Sequence, residues 1–140
     1  MKISEHIELE ELVPKKIFLQ KGKDCLLLID PRLPIVLERI RELCGNRTMT
    51  INNWLWNGKY QHRGCRPADC TVGAKYSMHK YGKAADFDIK GMTAEQVRRI
   101  IVANEQELMA LGLTRMEAGT SWVHIDLKEI GLEHIYIFKP

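Results

Sequence analysis

Hydrophobic and polar positions alternate along this chain with two different periods. Ser4 followed by Ile7, Leu9 and Leu12 predicts a short helix or turn docked at the domain edge, and Pro14 stops it. Residues 15–24 are basic and contain Gly22, which reads as a surface loop. Cys25-Leu-Leu-Leu-Ile29 is a short apolar run expected to be buried. Asp30-Pro31 is a helix-start signal with proline in the first turn. Leu33, Val36, Leu37, Ile40, Leu43 and Cys44 then recur at a period of about 3.6 residues, one face of an amphipathic helix. Gly45 is placed to cap it, and Arg39 and Arg41 suit its exposed side and C-terminal half. Thr48–Trp54 is β-branched and alternating, so a strand is predicted.

Residues 55–76 have no helical period and are rich in Gly, Arg, Asn, Pro and aromatic residues. A loop this long inside a compact domain is usually functional or disordered. Trp54, Trp56, Tyr60 and Tyr76 argue for order, so the loop is expected to wall a cleft. Ala84–Lys90 alternates as a strand with Asp86 and Asp88 on one face, broken by Gly91. Thr93-Ala-Glu-Gln96 is a capping box, and Val97, Ile100, Ile101, Leu108 and Leu111 follow at helical spacing up to Gly112. Three more strands are predicted: Leu113–Glu117, Ser121–Leu127 and Ile135–Phe138. The second of these carries Trp122, His124 and Asp126 on one face. With no repeat and no second core, the pattern predicts a single α+β domain over residues 1–140. Its centre is an antiparallel or mixed sheet with helices packed on one side.

Composition narrows the function classes. The 140 residues are 45% apolar and 28% charged, as in soluble globular domains. The net charge of +3 is spread along the chain and is no nucleic-acid signature. Trp54, Trp56, Lys59, Arg63 and Arg66 give a single-strand-binding loop some basis. The nearby acids Asp69, Asp86 and Asp88 rank that reading last, and no nucleic-acid partner is expected. No apolar run reaches membrane-span length, and acids stand where a signal peptide needs an apolar core. The expectation is a monomeric protein, cytoplasmic as synthesised, with no membrane partner. Cys25, Cys44, Cys65 and Cys70 include no Cys-x-x-Cys pair, so reduced thiols are expected. Cys25 and Cys44 read as core residues, while the Cys65/Cys70 spacing only loosely matches a metal knuckle.

The chemistry concentrates in two stretches. Ser77–Asp88 holds His79 ahead of Asp86 and Asp88, and Trp122–Asp126 holds His124. Two imidazoles and one carboxylate are ligands that zinc accepts, and a catalytic zinc keeps three protein ligands and a water. Neighbouring strands carrying Asp86 and His124 would aim both side chains at one point above the sheet. His79 would enter from the preceding loop, folded back tightly by Gly82, Ala84 and Ala85. Asp88 and Asp126, each two residues beyond a ligand, are placed to orient the ligand imidazoles. Taken singly, His79 reads as a surface loop histidine and His124 as a hydrogen-bonded sheet histidine. Taken as a pair with these acids, they favour a metal. His6, His62 and His134 have no such partners.

Ser77-Met-His79-Lys-Tyr-Gly82-Lys-Ala84-Ala-Asp86 resembles the Ser-x-His-x-x-Gly-x-Ala-x-Asp signature of the D-Ala-D-Ala carboxypeptidase family of zinc peptidases. That family includes vancomycin-resistance dipeptidases and phage endolysins, and is related in fold to hedgehog signalling domains. Trp122-Val-His124-Ile-Asp126 is similar to its second motif. The earlier order of a Glu-Leu-Val-Pro segment, a helix, a strand and an arginine-bearing loop extends the resemblance over essentially the whole chain. The resemblance implies Zn2+ on His79, Asp86 and His124, and a substrate in the peptide stem of peptidoglycan. It implies a loop arginine that clamps the substrate and stabilises the oxyanion, a slot that Arg66 fits best, with Arg63 as its rival. Ser77 and Trp122, as motif residues, are expected to support the site or touch substrate.

One departure concerns the general base. The family slot three residues before the third ligand holds Ser121 here, whose hydroxyl is no base near neutral pH. Glu117, returned to the cleft by a turn through Ala118-Gly119-Thr120, is the residue assigned instead, with Asp126 as the other acid at hand. The expected function is a zinc metallopeptidase of D,D-carboxypeptidase or endolysin type, phage- or prophage-encoded and released to the wall with help from a partner. The alternative is a zinc-stabilised binding module for peptide or cell wall whose base has been lost.

Overall fold

In the computed structural model, which describes residues 1–140, the alternation in Ala84–Ile89 sorts its side chains onto two faces of a sheet. The sheet contains β1 (Met49–Thr50), β2 (Ala84–Ile89), β3 (Arg115–Glu117), β4 (Val123–Asp126) and β5 (Tyr136–Phe138). Their spatial order is β1-β2-β4-β3-β5. Every neighbouring pair is antiparallel except β3 and β5, which run parallel. One face carries Ala85, Phe87, Val123, Ile125 and Met116, all buried in a single hydrophobic core. Helices α1 (Lys15–Lys21), α2 (Arg32–Leu43), α3 (Ala94–Ala103) and α4 (Glu105–Ala110) complete the α+β architecture. The buried stripe of α2 (Leu33, Val36, Leu37, Ile40) and that of α3 (Val97, Ile101) join the same core. The opposite face is left for Asp86, His124 and Glu117. No helix is long and apolar enough to cross a membrane.

Four expectations are corrected. Residues 15–21 are helical rather than loop: Ile17 and Phe18 pack on the core, and lysines favour helix. The run Cys25–Ile29 is not buried as a whole. It lies in a 3-10 helix, Gly22–Leu28, that buries Cys25 and exposes Leu27. The strand expected over Thr48–Trp54 shrinks to two residues, because β1 meets only the end of β2. Beyond it the Asn52 side chain takes over, donating to Val13 O at 3.2 Å and accepting from Arg63 N at 2.9 Å. The helix expected from Val97 to Leu111 is divided at Asn104, whose amide donates to Ile100 O at 2.8 Å in competition with the backbone ladder. The Thr93 capping box is present as predicted. All four thiols are free, and burial pushes that of Cys65 up to about 11.

Gly82 joins this frame to the site. It adopts φ 66°, and a Cβ there would stand 1.8 Å from Leu28 O. Gly45 also has a positive φ, but its Cβ would meet nothing within 4 Å. Gly82→Ala is therefore expected to lower the unfolding free energy by about 3 kcal/mol and Gly45→Ala by only about 1 kcal/mol, compared by denaturant titration.

Candidate metal centre

Ser77 begins a 3-10 turn, Met78–Tyr81, and its hydroxyl accepts from His79 N at 3.3 Å. Gly82 ends the turn and sends the chain into β2, which leaves His79 suspended over the sheet. His79 Nδ1 lies 2.8 Å from Gly64 O. A carbonyl only accepts, so Nδ1 carries the proton and the Nε2 lone pair faces the sheet. Gly64 is itself held close, since a Cβ there would meet Leu12 O at 2.5 Å.

Strand register supplies the rest. Asp86 is the cross-strand partner of His124, and Glu117 pairs with His124 from the other side. The three side chains form one row across β2, β4 and β3 on the same face. Asp86 Oδ1 lies 2.8 Å from His124 Nδ1 and 3.3 Å from His79 Nε2. The candidate ligand atoms of His79, Asp86 and His124 all lie within 4.8 Å of one another. Ligands at about 2.0–2.1 Å around a tetrahedral ion stand about 3.3 Å apart, so this group can close on a metal with small side-chain movements. Two imidazoles and a buried carboxylate are the donors of a borderline-soft divalent cation.

The supporting groups only partly follow expectation. Asp126 does meet a candidate ligand ring: its Oδ2 is 2.9 Å from His124 Nε2. Asp88 does not. It pairs with Arg63 Nη1 at 2.7 Å, because its strand position lies opposite Thr50 of β1, away from both imidazoles. Arg63 is thereby removed as a rival to Arg66, with its guanidinium held by Asp88 and stacked 3.8 Å from the Tyr60 ring centre. Arg66 is buried at the site. It donates from Nε to His62 O at 2.6 Å, from Nη1 to Val72 O at 3.2 Å and from Nη2 to Asp86 Oδ2 at 3.4 Å. Glu117 reaches the cleft through its pairing with His124 and not through the turn after it. Ser121 lies on the far side, among residues of α3.

Burial works against charge throughout, yet the site is strongly polarised. It depresses the His79 pKa, while at His124 it is overcome by Asp126 and Asp86 on the two ring nitrogens, which lift that pKa to about 9. Despite burial, the hydrogen bonds from His124 and His79 hold Asp86 well below the usual carboxylate range, and those from His124 and Arg115 lower Asp126. A cation among these groups would replace the positive charge that His124 otherwise carries between two carboxylates.

The candidate ligands open into a cleft of about 690 Å³ lined also by Arg66, Ser77, Glu117 and Trp122. The wall expected from residues 55–76 is formed by its second half, with Arg66 and residues 72–76 lining the space. Trp54 is instead tied to Val13 O at 2.8 Å. A hollow of similar size, about 700 Å³, lies against α2 and holds none of these ligands. Two site residues were not singled out from sequence, Arg115 and Phe138. Strand alternation was the available signal for Arg115, which stands two residues from Glu117 on the same face. Comparison of the chain with protein-family models, with curated proteins and with solved structures finds no match in any of the three.

Dialysis against zinc or cobalt(II), followed by elemental analysis, is expected to give one ion per chain, and magnesium none. His79→Ala or Asp86→Asn should cut affinity by about two orders of magnitude or more. The chelated wild type should melt lower than the loaded protein.

Proposed function

We propose that this chain is a zinc-dependent peptidase that hydrolyses the peptide stems of peptidoglycan. The observation that carries the catalytic part is the register of Glu117. It stands beside His124 on the sheet face that carries Asp86 and His124 and that His79 overhangs, at an open cleft. The peptidoglycan substrate is supported by the resemblance of the Ser77–Asp86 and Trp122–Asp126 motifs to the D-Ala-D-Ala carboxypeptidase family.

Bound zinc would acidify a water and polarise the scissile carbonyl. Glu117 takes a proton from the attacking water and delivers it to the leaving amine as the C–N bond breaks. Arg66 uses three of its five N–H donors on His62, Val72 and Asp86, which leaves two for the carbonyl oxygen or a carboxylate of the substrate. Because those three contacts fix the guanidinium, it meets developing negative charge without reorganising. Asp126 holds the His124 ring, and Trp122 offers an aromatic wall to the bound peptide.

Defined muropeptides test this reading. Cleavage by the zinc-loaded protein should vanish with chelator and return with zinc. Glu117→Gln should keep its metal and lose about 10²- to 10⁴-fold in kcat. Full activity in Glu117→Gln would remove that residue from the mechanism. Stoichiometric zinc with peptide binding and no turnover would instead identify a zinc-stabilised binding module. Arg66→Ala is expected to lower kcat/KM by about 10²-fold or more, with metal content unchanged.

A further inference from the structure

Asp126 is completely buried, and a carboxylate there needs full compensation. It receives four contacts. Arg115 closes on it as a fork, with Nε 2.8 Å from Oδ1 and Nη2 2.8 Å from Oδ2. Lys128 N donates to Oδ1 at 3.2 Å, and Oδ2 lies 2.9 Å from His124 Nε2. Arg115 is the cross-strand partner of Asp126, so the fork is set by the β3–β4 register. The guanidinium also lies against the Phe138 ring, 4.6 Å from its centre. On the same ring, Tyr136 stacks with centres 6.4 Å apart and His124 meets it edge-on with centres 5.7 Å apart. One aromatic side chain on β5 thus touches both the guanidinium and the ligand imidazole.

We propose that Arg115 and Phe138 are positioning residues for the metal centre: Arg115 locks Asp126 so that it receives the Nε2 proton of His124, and Phe138 fixes the ring plane, which keeps the Nδ1 lone pair aimed at the ion. This rests on the reading of His79, Asp86 and His124 as a metal site. A surface ion pair would need neither a fully buried acid nor an oxygen shared with a ligand ring. With both Asp126 oxygens engaged, the carboxylate cannot rotate, and the imidazole has one hydrogen-bonded orientation. Lysine at position 115 would supply a point charge without the fork.

Zinc affinity, measured by competition with a chromophoric chelator, tests the proposal on the whole chain. Arg115→Met is expected to weaken zinc binding about 10- to 100-fold, Arg115→Lys to recover part of that loss, and Phe138→Leu to weaken it several-fold. Combining Arg115→Met with Asp126→Asn should cost less than the two losses added together, since both break one unit. If Arg115→Met does not fold, Arg115→Lys and Phe138→Leu, which keep a cation beside Asp126, decide the matter. A second readout is the His124 Nε2 proton in NMR spectra of the zinc-loaded protein, expected to be slow in exchange in the wild type and fast in the variants. Lower melting temperatures with wild-type zinc affinity and an unchanged Nε2 proton would overturn the positioning role. A wild-type chain that takes up no zinc would overturn the metal centre and this role with it.

Discussion

A buried carboxylate shared between two imidazoles is the constraint around which this molecule is arranged. Asp86 sits within hydrogen-bonding reach of His79, His124 and Arg66. Uncompensated, a carboxylate at that depth would cost several kcal/mol. Each compensating group comes from a different part of the chain, and each needs its own support: Gly64 O for His79, Asp126 for His124, and the carbonyls of His62 and Val72 for Arg66. The two faces of the sheet therefore do opposite work. The face under the helices is apolar and close-packed, while the other gathers the buried Arg66, His79, Asp86, His124 and Asp126. The rigidity of the first keeps the second in register.

The parts legible in the sequence were those with strong local signals. The stripe of α2, the Thr93 capping box, the alternation of β2 and the candidate ligand residues all lie where residue spacing places them. The parts that were not legible depend on partners distant in sequence. Nothing local says that β1 stops after Thr50: Asn52 N turns away to Glu11 O, and Arg63 O takes Asp86 N on that edge of β2. Asp88 shares a strand face with Asp86, and period alone could not say that Arg63 would claim it. Glu117 was reached from sequence through an imagined turn, whereas cross-strand pairing with His124 is what puts it there. The proton on His79 is set by the carbonyl of Gly64, for which the sequence carries no signal at all.

The candidate ligands also span the sheet. Asp86 and His124 are 38 residues apart in the chain but directly opposed in space. An ion held between them would tie together β2, β4 and the 3-10 turn that carries His79. Loading would then tighten the β2–β4 pair as a crosslink does, by restricting the open chain as well as by adding contacts in the closed one.

The approach of Gly64 to Leu12 has a wider meaning. Leu12 O accepts from Cys65 N at 2.7 Å, and Gly64 O, on the same short loop, fixes the tautomer of His79. The candidate metal centre is thus hung from the backbone of the N-terminal segment and not from any side chain there. Side-chain changes at Leu12 or Val13 that leave the main chain in place would pass unnoticed by the imidazole. A displacement of that main chain by a fraction of an ångström would travel through two carbonyls and misalign it. Alignment here is a property of the path of the chain, and the residues that guard it carry no chemistry of their own.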